Sequence, residues 1–318
     1  MSVMERAERL ARAGRQVEAV AAVKLAADQG ESEALLIVAK WRLFGLHGNQ
    51  EIALAHELLG RSAEAGNAEA ARLRAILVAN GTGCTSDPDR AKALLEGLRD
   101  KDALAAHQLD VLAKMTPLDS VSQRPVEVVR EDPHIRIVRG LLLGTECAYI
   151  TALAEPALQP SFVLDPRTGR SVPHPIRTST GMNFGPTQED LVIHAINRRI
   201  AAASGTDVFC GEPLHVLRYS PGQEYKPHVD ALPGVANQRA WTVLIYLNED
   251  YSGGETRFTE LGLTVRGKRG DALVFCNMLP DGRSDGRTRH AGLPVTSGVK
   301  WLASRWIRGA PYSPLEPG

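Results

Sequence analysis

The chain has 318 residues, room for about two domains, and its 37 basic side chains balance 37 acidic ones. That neutrality excludes a global field drawing the protein to nucleic acid or to an acidic membrane surface. Four cysteines, Cys84, Cys147, Cys210 and Cys276, lie far apart without C-x-x-C or zinc spacing, and read as reduced thiols in a cytoplasmic protein. The N-terminus is charged from Glu5 and has no apolar signal core, and no run reaches the ~18 apolar residues of a membrane span.

Residues 1–115 are rich in Ala, Leu, Glu and Arg, all good helix formers. They repeat with a period near 36: Ala19, Ala55 and Ala91 share one phase, Val23, Leu59 and Leu95 another, Ala34, Ala70 and Ala106 a third. Gly30 matches Gly66, and Gly45 matches Gly81. Small residues at fixed phases let paired helices approach, and the glycines supply left-handed caps. Asp87-Pro88 reads as an N-cap followed by proline in the first helical position. The segment resembles Sel1-like repeats, relatives of the tetratricopeptide family. It is expected to form an all-α solenoid that either docks a protein or peptide or only packs against the next domain. His47, His56 and His107 have no partner at helix-face spacing and read as surface or packing residues.

Residues 116–132 hold two prolines and mixed charges without a helical period, and are expected to be a linker. A domain over residues 133–312 follows. His134-Ile-Arg-Ile-Val138 alternates as a strand does. Residues 144–153 read as a helix capped by Thr145, and residues 188–203 as a second amphipathic helix. Residues 164–183 between them are rich in turn formers. From Leu214 onward short β-type runs alternate with turns, at 214–219, 241–247, 256–258, 263–265, 272–275, 290–294 and 300–307. Many short strands suggest a barrel or sandwich.

Within this β-rich part lies Tyr225-Lys-Pro-His-Val-Asp230. On an extended segment His228 and Asp230 project from one face, because strand side chains alternate. His290, about sixty residues on, can close a triangle around one metal, and two imidazoles with one carboxylate leave positions open for oxygen chemistry at Fe(II). Lys300 follows ten residues later, where its ammonium could meet the carboxylate of a co-substrate in the same cavity.

The order and spacing of Val216-Leu-Arg-Tyr219, Gly222-Gln-Glu-Tyr225, His228-Val-Asp230, Trp241-Thr-Val-Leu-Ile-Tyr-Leu-Asn248, Gly253-Gly-Glu-Thr256, Gly270-Asp-Ala-Leu-Val-Phe275, His290-Ala-Gly292 and Lys300-Trp301 resemble the 2-oxoglutarate/Fe(II)-dependent dioxygenases of the prolyl 4-hydroxylase type. The resemblance covers roughly residues 131–310. It implies a double-stranded β-helix, or jelly roll, braced by helices, so that the whole chain is multidomain. It implies His228, Asp230 and His290 as ligands of Fe(II), and Lys300 as partner of the distal carboxylate of 2-oxoglutarate. Tyr219 matches a tyrosine that hydrogen-bonds the co-substrate, and Tyr246 shares the inward face with Thr242 and Leu244. Trp306 lies on the face of Lys300 and would wall the pocket. Arg177 and Ser179 match a signature at the end of a loop over the active-site mouth, and Arg177 and Arg239 are candidates to meet the substrate. His134, His174, His194 and His215 match no ligand position.

The implied activity couples oxidative decarboxylation of 2-oxoglutarate by O2, giving succinate and CO2, to hydroxylation of an unactivated C–H bond. Ascorbate is the expected reductant, and a peptidyl residue such as proline the expected acceptor. No catalytic side chain is expected beyond the metal centre, since amino-acid side chains cannot supply this oxidant. The competing reading is a non-catalytic or sensing jelly roll joined to a docking repeat. Such a site is expected to have lost a ligand, and here none is missing.

Overall fold

The computed structural model describes residues 3–164, 171–173 and 175–315. His174 and residues 165–170 of the expected mouth loop lie outside them. The described residues divide into two compact units. The first takes residues up to 114, together with 186–194 and Leu315; the second takes the rest.

The first unit is built from α1 (Val3–Arg12), α2 (Gln16–Asp28), α3 (Ser32–Phe44), α4 (Ile52–Glu64), α5 (Ala68–Asn80), α6 (Pro88–Glu96) and α7 (Ala103–Lys114). The starts of α2, α4 and α6 keep the period read from the sequence, as do those of α3 and α5. Gly45 and Gly81 end α3 and α5 in the left-handed region, at φ 68° and 76°. Asp87 accepts from the Arg90 N–H at 2.9 Å, with Pro88 in the first turn. Ala34, Ala55, Ala70, Ala91 and Leu95 are all fully buried, so the repeated small residues are the contact surfaces between helices. The third repeat slips by one residue. Ala105, not Ala106, takes the buried position, because α7 starts one residue early in phase. His56 Nε2 bonds the Thr82 carbonyl oxygen at 2.6 Å, and His47 lies edge-on to Trp41.

The second unit corrects the linker reading. Residues 118–123 form a 3-10 turn, and β1 (Val126–Arg130) pairs antiparallel with β2 (Ile135–Val138) at the edge of the main sheet. As an exposed edge strand β1 buries no face, and its Val126 and Val128 are both more than half exposed. Helix α8 (Gly144–Ala154) starts one residue before Thr145; its cap is the Leu143 N–H, which donates to Glu146 Oε2 at 2.7 Å. Next come the short strands β3 (Gln159–Pro160), β4 (Phe162–Leu164) and β5 (Ser171–Pro173), then β6 (Thr180–Phe184) and α9 (Leu191–Ser204). The Asp190 carboxylate caps α9 by accepting from the Val192 and Ile193 N–H groups.

The remaining strands are β7 (Leu214–Tyr219), β8 (Tyr225–His228), β9 (Arg239–Tyr246), β10 (Tyr251–Gly253), β11 (Thr256–Phe258), β12 (Leu263–Val265), β13 (Ala272–Cys276), β14 (His290–Gly292), β15 (Val295–Gly298) and β16 (Lys300–Arg308). Eight strands form the main sheet in the order β1-β2-β13-β9-β16-β7-β6-β3, and four form a smaller one in the order β12-β11-β14-β8. From β7 to β16 the chain passes back and forth between these sheets, which is the winding of a jelly roll. Their inner faces share one apolar core, including Ile135, Leu244, Phe258, Leu273 and Phe275.

Inside this unit an ion pair is sealed from water. Arg199 NH2 lies 2.6 Å from Glu146 Oε1, and the two side chains are 2% and 1% exposed. Removing one partner strands the other charge. Arg199→Ala is expected to destabilise this unit by about 3–5 kcal/mol in urea unfolding followed by near-UV circular dichroism. A loss below about 1 kcal/mol, the value of a solvated pair, would contradict this burial.

Candidate metal centre

The smaller sheet brings the three ligand candidates together. His290 opens β14 and sits directly across from His228, the last residue of β8. Their rings stand 4.4 Å apart between centroids. Asp230, two residues past His228, turns its Oδ1 to His228 Nε2 at 3.6 Å and its Oδ2 to His290 Nε2 at 3.8 Å. One donor atom from each side chain lies within 4.8 Å of the others, and these three are the metal-sized cluster found among the described residues.

The backbone fixes which imidazole nitrogen faces the centre. His228 Nδ1 lies 2.9 Å from the Lys226 carbonyl oxygen, and His290 Nδ1 lies 3.0 Å from that of Thr288. A carbonyl only accepts, so each Nδ1 carries a proton and Nε2 is the nitrogen of each ring that faces the carboxylate. Burial pushes the His290 imidazole down to about 4, against the pull of Asp230. Burial works to raise the Asp230 carboxyl, but His290, His228 and Thr242 outweigh it and hold the group well below the usual carboxylate range. Two imidazole nitrogens and one carboxylate oxygen therefore face one point. That donor set fits Fe(II) with positions left open.

A narrow cavity opens from this cluster into the barrel. Tyr225 stacks on His228 at 3.6 Å between centroids, at its mouth side. At the other side lies Lys300, 2% exposed, whose Nζ donates to the Gly254 carbonyl at 2.7 Å. Burial pushes this amine down to about 8, with Glu255 opposing. Lys300 pairs across strands with Tyr219, whose ring centroid is 5.6 Å from Nζ. Leu302, Ser304 and Trp306 continue the same face of β16 along the cavity wall, as the alternation of strand side chains requires.

Tyr219, Lys300 and Trp306 therefore line the cavity with the three ligands. Tyr246 is not among the lining residues. It is fully buried behind them, with its ring 5.7 Å from Lys300 Nζ and its hydroxyl 3.3 Å from Thr256 Oγ1. Thr256 takes the lining place that the strand period assigned to Tyr246. The signal for it lies in Gly253-Gly-Glu-Thr256, where successive glycines at φ 70° turn the chain into the cavity.

A wider cleft lies outside the metal cluster, and Arg177 and Arg239 both line it. Arg239 forks onto the Glu212 carboxylate at 2.7 and 2.8 Å and stacks over the Trp306 ring at 3.9 Å. Arg177 lies 5.4 Å over the Tyr225 ring and donates from Nε to Ser161 Oγ at 3.0 Å. Ser179 is buried beside Ser161, at 3.3 Å between hydroxyls. Sequence reasoning missed Glu212 and Tyr225: a lone acid in a turn and an aromatic in a strand carry no separate signal. His134 stacks on Trp241, His194 bonds Glu189, and burial keeps His215 uncharged, down to about 3.

The sequence pattern of the 2OG-Fe(II) oxygenase superfamily matches residues 214–308. Prolyl 4-hydroxylase 1 of Arabidopsis thaliana is 40% identical over 201 residues, spanning 57% of this chain and 71% of that protein. Among solved structures, the viral collagen prolyl hydroxylase of Paramecium Bursaria Chlorella virus-1 in complex with 2OG is 30% identical, with 57% of this chain and 99% of that one covered and a TM-score of 0.46. A Sel1 repeat protein from Oxalobacter formigenes is 21% identical over 34% of this chain and 85% of its own, with a TM-score of 0.32. The chain belongs to the 2OG-Fe(II) oxygenase superfamily and, within it, to the prolyl 4-hydroxylases.

Proposed function

We propose that this oxygenase hydroxylates a peptidyl residue, prolyl first, with Fe(II) held by His228, Asp230 and His290 and with 2-oxoglutarate anchored by Lys300. The observation that carries the reading is a complete His-Asp-His cluster and a buried amine lining one cavity. When bound, Fe(II), 2-oxoglutarate and O2 supply the oxidative decarboxylation to succinate and CO2 and the oxidant for the C–H bond. The protein supplies placement. Lys300 meets the distal carboxylate, and Tyr219 stands beside it as a hydroxyl donor. Leu217, Leu244 and Leu302 keep water from the reacting centre. The outer cleft, with Tyr225, Trp306, Arg177, Arg239 and Glu212, offers aromatic faces and charged groups to a polypeptide backbone. The helical unit, residues 1–115 of the sequence reading, serves in this proposal as a Sel1-like docking domain for the protein substrate. All four cysteines are free, which suits a reducing compartment such as the cytoplasm.

The test is succinate release from purified protein given Fe(II), ascorbate and 2-oxoglutarate, with proline-containing peptides screened for a gain of one oxygen by mass spectrometry. Oxygen gain on another side chain would replace proline in the proposal. Binding of metal and 2-oxoglutarate without any turnover would return the sensing module to first place. Asp230→Ala and His228→Ala are each expected to abolish turnover while the far-UV circular dichroism stays that of wild type. Undiminished succinate production by Asp230→Ala would overturn the ligand assignment.

Lys300 gives a second, pH-resolved prediction. A charge-assisted hydrogen bond contributes roughly 1.5–3 kcal/mol, so Lys300→Ala should raise the 2-oxoglutarate requirement by about ten- to a hundredfold. The amine, pushed down to about 8, is charged below that pH and loses its proton as pH rises through it. Wild-type affinity for 2-oxoglutarate should therefore weaken as pH rises above about 8. It should stay level to about pH 9.5 in Lys300→Arg, whose guanidinium keeps its charge. Titrations of uncoupled turnover at several pH values check both. A shift below about twofold for Lys300→Ala, far under the hydrogen-bond value, would remove Lys300 from the anchor role.

A further inference from the structure

The Asp230 carboxylate is held by a chain of two side chains. The Thr242 hydroxyl, on β9, lies 2.6 Å from Asp230 Oδ2. Asn277 Nδ2, just past β13, lies 2.8 Å from Thr242 Oγ1. None of the three side chains is more than 4% exposed. Chemistry sets the direction of these bonds. A carboxylate only accepts, so the single threonine proton must point at Asp230, and the threonine oxygen must then receive from the amide nitrogen. The reversed amide would leave two lone pairs facing each other.

The Asn277 backbone ties the same chain to the other side of the cluster. Its N–H donates to the Ala240 carbonyl, beside Thr242, at 2.8 Å, and its carbonyl accepts from the Asp285 N–H at 2.8 Å. Thr288 Oγ1 then donates to the Asp285 carbonyl at 2.8 Å, and the Thr288 carbonyl accepts the His290 Nδ1 proton. One run of hydrogen bonds thus joins Asp230 to His290 through Asn277.

We propose that Thr242 and Asn277 are positioning residues of the metal centre. They keep Asp230 Oδ2 occupied as an acceptor, so that Asp230 ligates the metal through Oδ1 alone and the positions needed by co-substrate and oxygen stay open. This rests on the assignment of His228, Asp230 and His290 as the metal ligands.

The test uses Co(II) as the probe on full-length protein stripped of metal, reading affinity by titration and ligand geometry by the visible absorption of the bound ion. Thr242→Val keeps the shape and removes the hydroxyl. It should weaken Co(II) binding by about tenfold or more, the usual effect of losing a group that orients a ligand, and alter the absorption envelope. Thr242→Ser, which restores the donor, should bind within about twofold of wild type. Asn277→Leu should weaken binding by a smaller factor, and the double variant should be no weaker than Thr242→Val, because both act through one bond. Wild-type affinity and absorption in Thr242→Val would overturn the proposal, as would full additivity of the two changes. If the metal-free circular dichroism shows that Thr242→Val does not fold, Asn277→Leu decides: unaltered affinity and absorption overturn the proposal. A wild type that binds no Co(II) sinks the ligand assignment itself, whereas a binding wild type with unaltered variants sinks only the positioning role.

Discussion

A carboxylate taken out of water beside an apolar wall is the constraint on which this site depends. Asp230 is 4% exposed, and removing such a charge from solvent costs several kcal/mol unless donors or cations replace the water. The protein replaces it with Thr242 and turns two imidazole edges toward it. The outer nitrogens of both imidazoles are committed to backbone carbonyls, so it is Nε2 of each ring that faces the carboxylate. A site arranged in this way is unsatisfied by itself and complete with a divalent cation.

That arrangement needs registers set far from the cluster. His290 faces His228 because β14 pairs with β8 at that residue, and a slip of one position would turn the imidazole to the other face. The same holds on the main sheet. Lys300 meets Tyr219, and Trp306 meets Thr242, because β16 lies between β7 and β9 in a fixed register. Alternate residues of β16 then run along the cavity from Lys300 to Trp306. The apolar residues on these strands fix the registers by their burial, so core packing is what aligns the polar groups. The ion pair of Arg199 and Glu146 holds α9 to α8 from within the same unit.

Legibility in the sequence followed the range of the interaction. The helical repeat was readable because its period, its caps and its small residues are local, and Gly45, Gly81 and Asp87 act where their neighbours demand it. The His-x-Asp pair was readable for the same reason. His290, Lys300 and Trp306 were reachable only through ordered motifs resembling a family. What escaped depends on partners distant in sequence. Residues 126–130 passed for linker because an exposed edge strand takes its identity from β2, not from its own pattern. The period of two put Tyr246 on the inward face correctly, yet the cavity ends before it, and Thr256 arrives from another strand. The Glu212 carboxylate gains its place from Arg239 and Arg308, each 2.6–2.7 Å from it and distant in sequence. Nothing near Asn277 in sequence marks it as a neighbour of Asp230.

One cavity is lined by both the metal-ligand cluster and a buried amine, and in the proposed function this pairing orients a small dicarboxylate. The metal ligands and the Lys300 amine line one cavity together with Leu217, Leu244 and Leu302, and His228 and Asp230 also border the outer cleft. Among the described residues the amine donates to one carbonyl, that of Gly254. Burial that pushes the amine down to about 8 measures how poorly this resting state compensates the charge. In the proposed function an incoming carboxylate compensates that charge and keeps the amine protonated to higher pH. A monocarboxylate bound at the metal would leave the deficit in place. In the proposed function such a cavity favours a ligand charged at both ends over one charged at the metal alone.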